Sequence, residues 1–150
     1  TGVGDTVKAH IIKVKKSFAV GKLMEVIVPS PHRKDVDCLA FRQCGGCSFR
    51  HITYEHELMV KEQSVKDAIN RIGGINLDPL PITPSPALCH YRNKAQYPFS
   101  YGEDGLCYGF FARHSHRVVK NGGCLLQQQR LHHGYLMKHL KRQGNLIFYS

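Results

Sequence analysis

Hydrophobic and polar residues alternate in two stretches near the start of the chain, TVKAHIIKV and SFAVGKLMEVIV, with the basic turn KKS between them. β-Branched and aromatic residues that alternate with polar ones are typical of strands with one covered face. The pattern therefore predicts two strands between Thr6 and Val28. Pro29 and Pro31 end the second strand, because proline cannot donate a hydrogen bond to a sheet ladder.

After residue 53 the apolar residues follow the spacing of a helix. The residues on this stripe are Leu58, Val65, Ile69 and Ile72. Thr53 is a candidate N-cap, because its hydroxyl can accept from the first amides of a helix, and Gly73 is a candidate C-terminal stop. The pattern predicts one helix over residues 54–72, followed by a proline-rich extended connector that runs to Cys89.

The second half of the chain contains three further strand patterns and a second amphipathic segment. The strand patterns are YRNKAQYPFSY, LCYGFFAR and HRVVK, and they predict a small antiparallel meander. The segment QQQRLHHGYLMKHLKRQ places Leu131, Leu136 and Leu140 on one side, which is typical of a surface helix. Both ends of the chain run into strand patterns, so we expect the chain to be a fragment.

The charge balance adds an expectation about partners. Lys and Arg number 21 against 11 Asp and Glu, which gives a formal net charge of +10. Such an excess is typical of a surface that binds nucleic acid, although a basic solvated surface would have the same composition. No apolar run approaches the roughly 20 residues that span a bilayer, and the start of the chain lacks a signal-peptide pattern. We therefore expect a soluble, cytoplasmic protein.

Three of the six cysteines, Cys38, Cys44 and Cys47, lie within the stretch DCLAFRQCGGCSFRH. Clustered cysteines in a chain without a signal peptide favour metal-holding thiolates over disulfides. A C-x2-C pair fits part of a zinc site. The glycine pair Gly45–Gly46 can instead take backbone angles that aim amides at the sulfurs of an iron–sulfur cluster. The spacing leaves a cluster, a zinc ion and a purely structural role open.

The fourth ligand must come from elsewhere in the chain. The candidates are Cys89, Cys107, Cys124 and, as a nitrogen donor, His51. Cys124 directly follows a second glycine pair, so the same argument from backbone freedom applies there, and we choose it. Cys89 and Cys107 lie beside or within strand patterns and are interpreted as small buried side chains.

These motifs together are similar to those of a known enzyme family. C-x5-CGGCSFRHITYEHELMVKEQSV, followed by YRNKAQYPFSY, GFFARHSHRVV and CLLQ, resembles the RNA uridine-5-methyltransferases, especially the 23S ribosomal RNA (uracil-5-)-methyltransferase branch. The resemblance implies a 4Fe–4S cluster whose ligands are Cys38, Cys44, Cys47 and Cys124. The stretch VGDTVKAHIIKVKKSFAVGKLMEVIVPSPHR resembles the later part of a TRAM domain, an OB-like β-barrel that contacts RNA in this family.

The resemblance also implies where the catalytic chemistry lies. In the family, a C-terminal domain binds S-adenosylmethionine. Its cysteine attacks carbon 6 of the target uracil, and a glutamate helps to remove the proton from carbon 5. That domain would follow residue 150, so no catalytic residue is assigned within the chain. We expect these 150 residues alone to be inactive in methyl transfer.

RNA binding is the role that the resemblance implies for the basic residues. The candidates are Lys13, Lys15, Lys16, Arg92, Lys94, Arg113 and Arg117. Strand alternation puts Arg92 and Lys94 on one face and Ala95 and Tyr97 on the other, and one of these faces should belong to the core. For the basic residues of the ARHSHR turn, a solvated hairpin tip is the competing interpretation.

The resulting prediction is an α+β fragment. Residues 1–36 form the C-terminal part of an OB-like TRAM β-barrel, and residues 37–150 form a small iron–sulfur and RNA-recognition domain with a short antiparallel sheet and two helices. The predicted function is RNA recognition within an S-adenosylmethionine-dependent 23S rRNA (uracil-5-)-methyltransferase. Its expected partner is ribosomal RNA or transfer RNA. We expect the protein to be a monomer that does not associate with a membrane. The alternative is a stand-alone zinc or iron–sulfur RNA-binding module without enzymatic activity.

Overall fold

The computed structural model describes residues 1–102, 105–121, 123–128 and 145–149. They form an α+β structure with one α-helix and two antiparallel sheets, which confirms the predicted class. The elements are β1 (Thr6–Val14), β2 (Ala19–Val28), α1 (Tyr54–Asp67), β3 (Lys94–Gly102), β4 (Gly105–Phe111), β5 (Val118–Lys120) and β6 (Asn145–Tyr149). Most of the predicted second helix, including its three leucines, lies outside the described residues. In the part that is described, no helix is long and apolar enough to cross a membrane.

By their contacts, the residues form two compact units that interleave along the sequence. The first unit consists of Thr1–Asp35 and Phe49–Thr83, and it contains β1, β2 and α1. The second consists of Val36–Ser48 and Pro84–Ser150, and it contains the cysteine-rich loop and the remaining strands. The two predicted domains and their TRAM and iron–sulfur identities stay predictions.

The first unit contains the predicted hairpin. β1 and β2 pair antiparallel, and the Lys15 amide donates to the Phe18 carbonyl at 2.8 Å in the turn. Large apolar side chains stay exposed along both strands, among them Ile11, Ile12, Leu23 and Met24. The described residues contain no closed barrel, so this hairpin is what the structure shows of the predicted partial barrel.

A buried ion pair ties the start of β1 to the loop that follows β2. The Asp5 side chain is 1% exposed, and the Arg33 guanidinium donates to it through Nε at 2.7 Å and through Nη2 at 2.6 Å. The Ser30 amide donates to the same carboxylate at 2.9 Å. The bonds from Arg33 hold the pKa of Asp5 well below its usual range, although burial acts in the opposite direction.

The helix begins where the sequence predicts. Thr53 Oγ1 accepts a hydrogen bond from the His56 amide at 3.4 Å, as expected of an N-cap. After α1 the chain continues as one π-helical turn, Ala68–Ile72, which the Gly73 amide closes by donating to the Ala68 carbonyl at 3.0 Å. The predicted helix over 54–72 is therefore present, with a wider last turn.

The apolar stripe predicted for this helix is not a buried face. Val65 is 50% exposed and Ile72 is 87% exposed. The buried residue of α1 is His56, whose ring stacks on His32 with 4.1 Å between the ring centroids. Leu58 and Ile69, the other two residues of the stripe, are half-buried, so His56 is the fully buried side chain of α1.

The second unit contains a four-stranded antiparallel sheet in the order β5-β4-β3-β6. β3, β4 and β5 form the predicted meander, and β6 confirms the strand pattern at the end of the chain. Glycine is needed where β4 meets β5, because a Cβ atom on Gly109 would lie 1.8 Å from the Val119 carbonyl oxygen.

The core of the second unit lies on one face of β3. Ala95 and Tyr97 are 2% and 0% exposed, and the Tyr97 ring packs against Tyr108 and Phe110 with centroid distances of 5.6 and 5.0 Å. This confirms that one of the two predicted faces of β3 belongs to the core, and Lys94 is exposed. Burial, with the nearby Cys124 as a smaller cause, raises the pKa of Tyr97.

Candidate functional site

Four cysteines line one cavity in the second unit, namely Cys38, Cys44, Cys47 and Cys124. The other lining residues are Phe41, Gly46, Arg92, Phe110, Asn121 and Leu126. The cavity measures about 40 Å³ and is partly open to solvent. The structure thus brings the three clustered cysteines together with the distant one that the sequence favours. None of the six cysteines forms a disulfide.

Short-range hydrogen bonds fold the loop that carries the first three cysteines. The Phe41 amide donates to the Cys38 carbonyl at 3.1 Å, and the Cys44 amide donates to the Ala40 carbonyl at 2.8 Å. These consecutive turns coil the segment between Cys38 and Cys44. Coiling is what allows two cysteines that are separated in sequence to line the same cavity.

The end of β4 holds this loop in place. Cys44 forms an antiparallel bridge with Ala112, and the Gly45 amide donates to the Phe111 carbonyl at 2.9 Å. A Cβ atom on Gly45 would lie 2.9 Å from the same Phe111 oxygen. Gly45 does not have a positive φ, so its own backbone angles do not require glycine. Glycine is needed because two backbones approach each other closely.

Two further contacts orient the loop. The Gly46 amide donates to Cys44 Sγ at 3.4 Å, as the glycine pair predicts. Amide donors of this kind stabilise thiolates and affect the properties of iron–sulfur clusters. Arg113 Nη2 donates to the Cys47 carbonyl at 2.7 Å, and the same guanidinium lies 5.6 Å from the Phe41 ring centroid. Arg113 therefore braces the cysteine loop.

Cys124 is positioned by a parallel pairing between two irregular segments. The His90 amide donates to the Leu125 carbonyl at 2.8 Å, and His90 Nδ1 lies 2.8 Å from the Gln127 carbonyl oxygen. The Gln127 amide donates back to the Cys124 carbonyl at 3.1 Å, and the Gln127 side chain is almost fully buried. The segment before β3 therefore fixes the backbone that carries the fourth cysteine.

The cavity presents four cysteine sulfurs, the donor type that both zinc ions and iron–sulfur clusters use. In the described part of the chain, no three His, Cys, Asp or Glu side chains converge closely enough to hold one metal ion. A tetrahedral zinc ion with bonds of about 2.3 Å requires its sulfurs to lie within about 4 Å of one another. A 4Fe–4S core is larger and separates its four thiolates more widely. Four cysteines around one cavity, with an amide aimed at one sulfur, are the donor types that such a core uses.

The other candidate ligands lie elsewhere. Cys107 pairs with Ser100 within the sheet, and neither it nor Cys89 lines the cavity. His51 belongs to the first unit, where its Nε2 lies 3.0 Å from the Thr1 carbonyl oxygen. Burial lowers the pKa of His51. Of the four candidates for the fourth ligand, Cys124 is the one that lines the cavity.

The predicted RNA-contact residues are distributed over both units. Lys13, Lys15 and Lys16 are exposed at the turn end of the hairpin, where Lys15 Nζ lies 5.1 Å from the Phe18 ring centroid. In the second unit, Lys94 and Arg117 are exposed, Arg113 braces the cysteine loop, and Arg92 lines the cavity.

Sequence patterns did not identify the aromatic residues that line the cavity, Phe41 and Phe110. For Phe110 a signal exists, because alternation in β4 places it on the same face as Tyr108, which packs on the core. Phe41 lies in a loop without periodicity, so only the fold reveals its place.

Sequence comparison identifies relatives among bacterial enzymes. An uncharacterized RNA methyltransferase from Bacillus cereus is 43% identical over 129 residues, which cover 84% of this chain and 28% of the relative. Uncharacterized RNA methyltransferases from Synechocystis and Clostridium tetani are 38% and 37% identical, over 87% and 85% of this chain. The chain is homologous to a segment of RNA methyltransferases. No protein-family model matches it.

The homologous segment is a minor part of each relative. The chain spans 28% of the Bacillus cereus and Clostridium tetani proteins and 29% of the Synechocystis protein. The similarity covers most of this chain and relates it to one segment of proteins named RNA methyltransferases.

Proposed function

We propose that this chain is the 4Fe–4S-containing, RNA-binding part of an S-adenosylmethionine-dependent RNA uracil-5-methyltransferase that acts on 23S ribosomal RNA in the cytoplasm. The observation that carries the proposal is the cavity lined by Cys38, Cys44, Cys47 and Cys124, in a chain homologous to RNA methyltransferases. The four disulfide-free cysteines of this cavity and the amide directed at Cys44 support a cluster.

The cluster's role in this proposal is structural. When bound, it supplies four metal–thiolate bonds that cross-link the loop of Cys38, Cys44 and Cys47 to the segment of Cys124. Uracil methylation transfers no electron, so the reaction itself does not call for a redox centre. Gly45 and Arg113 hold the cysteine loop at the end of β4, and the residues before β3 hold the segment of Cys124, as described above.

Methyl transfer itself is assigned to the remaining length of the protein. A base in folded RNA must leave its stack to enter a methyltransferase pocket, and this requires that the surrounding RNA be held firmly. The exposed lysines of the β1–β2 turn, together with Lys94 and Arg117, are suited to phosphate contacts. The chain would therefore bind and orient RNA while another domain binds S-adenosylmethionine and the target base.

The first test is a metal analysis of anaerobically purified protein. We expect about four irons and four acid-labile sulfides per chain, with a brown visible spectrum. Cys124→Ser should lose most of the iron and sulfide, whereas the matched control Cys107→Ser should keep them, because Cys107 does not line the cavity. The 150-residue chain, supplied with labelled S-adenosylmethionine and ribosomal RNA, should transfer no methyl group to uridine.

Other results would change the assignment in specific ways. One zinc ion without sulfide would favour the alternative, a stand-alone zinc-containing RNA-binding module. Full iron and sulfide content in Cys124→Ser would exclude Cys124 as the fourth ligand. Uridine methylation by the 150 residues alone would contradict the placement of catalysis in another domain.

A further inference from the structure

Arg92 is the only charged residue among the described residues that line the four-cysteine cavity. Its neighbours there are cysteines, apolar side chains, a glycine and an asparagine. The sequence had assigned Arg92 to RNA together with Lys94, since both lie on one predicted strand face. In the structure Arg92 lies just before β3, which begins at Lys94, and of these two residues only Arg92 lines the cavity.

The backbone of Arg92 is fixed to the segment that carries Cys124. The Arg92 amide donates to the Leu126 carbonyl at 3.0 Å, and the Arg92 carbonyl accepts from the Gln128 amide at 3.4 Å. These bonds form a parallel bridge between Arg92 and Gln127, whose own amide donates to the Cys124 carbonyl. The position of Arg92 relative to the fourth cysteine is therefore set by main-chain hydrogen bonds.

No carboxylate among the described residues forms a salt bridge with the Arg92 guanidinium. The other arginines that shape these units have protein partners: Arg33 pairs with Asp5, and Arg113 donates to the Cys47 carbonyl. A guanidinium cannot lose its proton at ordinary pH, so Arg92 brings a permanent positive charge to the edge of the cavity.

Four cysteines that bind a metal centre do so as thiolates, and their negative charge exceeds the positive charge of an oxidised 4Fe–4S core. A cation at the edge of such a site lowers the free energy of the anionic centre, and more so when neighbouring side chains are apolar. We propose that Arg92 is an electrostatic partner of the four-cysteine centre and favours both retention of the cluster and its one-electron reduced state. This inference rests on the proposed cluster.

The test compares Arg92→Gln, Arg92→Lys and the control Lys94→Gln in the complete natural protein. Cluster loss to an iron chelator is followed by visible absorbance, and the one-electron reduction potential is measured by mediated titration. Arg92→Gln should lose the cluster roughly tenfold faster, at the lower end of the 10–100-fold typical of outer-shell partners, because Arg92 is largely exposed. The reduction potential of Arg92→Gln should become more negative. Arg92→Lys should recover part of the cluster retention and part of the potential. Lys94→Gln should have the wild-type rate of cluster loss and the wild-type potential.

The readouts separate this inference from the proposed function. A wild-type protein without iron and sulfide would overturn both. A wild-type protein with a cluster, together with Arg92→Gln that retains the cluster and its potential, would overturn the role of Arg92 alone. Loss of RNA affinity in that variant, with cluster properties unchanged, would return Arg92 to the RNA-contact residues. If Arg92→Gln misfolds, as judged by circular dichroism, Arg92→Lys becomes the test. Because this variant keeps the positive charge, it should keep the cluster and a reduction potential close to the wild-type value. Loss of the cluster from a folded Arg92→Lys would overturn the electrostatic role of Arg92.

Discussion

Two glycines that precede or follow cysteines of the cavity have very different surroundings. A Cβ atom on Gly45 would lie 2.9 Å from the Phe111 carbonyl oxygen and 3.3 Å from the Arg113 amide nitrogen. A Cβ atom on Gly123, next to Cys124, would meet no atom of the described residues within 4 Å. The first position therefore tolerates no side chain without movement of the backbone, whereas the second does.

Gly45→Ala should displace the cysteine loop from the end of β4. We expect a loss of about 1–3 kcal/mol in the free energy of unfolding, the usual cost of overpacking. Iron content per chain after anaerobic purification should fall with it. Gly123→Ala is the matched control and should keep both stability and iron. Wild-type iron content in Gly45→Ala would show that the loop does not need its contact with Phe111.

The identity of the cavity cysteines could be predicted from sequence, but the reason for Gly45 could not. The spacing of Cys38, Cys44 and Cys47 is local, so the sequence displays it directly. The requirement for glycine at position 45 depends on β4, which is distant in sequence and comes close only through the fold. The same holds for Arg92, whose place is set by its bridge to Gln127.

At the scale of elements, the Asp5–Arg33 pair connects the start of β1 to the loop after β2. Removing one partner of a buried pair leaves the other uncompensated. Asp5→Asn should therefore cost roughly 2–3 kcal/mol, less than the 3–5 kcal/mol of a fully buried pair, because the Arg33 side chain keeps 29% exposure. Urea unfolding at pH 7 measures this loss.

The difference in the free energy of unfolding between wild type and Asp5→Asn should become smaller as the pH falls. The pKa of Asp5 in the folded state is held below its unfolded value of about 3.9. The unfolded state therefore binds the proton first as the pH falls, and the stabilisation is full above about pH 5 and declines below about pH 4. The gap between wild type and Asp5→Asn should narrow accordingly in urea unfolding at pH 3.

A surface pair in the same unit provides the control. Asp78, which pairs with Lys66, has a side chain that is 81% exposed. Asp78→Asn should change stability by less than about 1 kcal/mol, as is usual for exposed pairs. Equal losses in Asp5→Asn and Asp78→Asn would mean that burial of the Asp5 carboxylate does not determine its contribution.

Elements with a strong local pattern were predicted closely, and buried faces less well. β1, β2, the meander and the Thr53 N-cap follow from alternation and capping chemistry. The helical stripe predicted the helix but not its packing, since Val65 and Ile72 are exposed and His56 is buried. Periodicity shows which residues share a face, whereas the partner of that face is a tertiary property.

At the scale of the whole molecule, the interleaved organisation of the chain could not be read from the sequence. Contacts place the segment Val36–Ser48 in the same unit as Pro84–Ser150, although Phe49–Thr83 separates the two segments along the chain. Proline-rich stretches suggest boundaries but do not reveal which segments pack together. Long-range hydrogen bonds such as that between Gly45 and Phe111 create this organisation.

The net charge of +10 leads to a prediction about RNA binding by the whole molecule. Each phosphate contact releases counterions, so log K should fall linearly with log salt, with a slope of about −0.7 per contact for single strands. The combined variant Lys13→Gln, Lys15→Gln and Lys16→Gln should reduce this slope by roughly 2 if all three side chains contact phosphates. Filter binding or fluorescence anisotropy across a salt series measures it.

The control for this prediction is a lysine whose charge is already engaged. Lys61 Nζ lies 2.5 Å from Glu57 Oε1 on α1, so Lys61→Gln should leave the salt slope close to the wild-type value. An unchanged slope in the triple variant would place the phosphate contacts elsewhere, for example at Lys94 and Arg117. Affinity that is independent of salt would be harder to reconcile with the proposal, because phosphate contacts necessarily release counterions. The basic composition would then reflect a solvated surface, and recognition of RNA would have to come from another part of the complete protein.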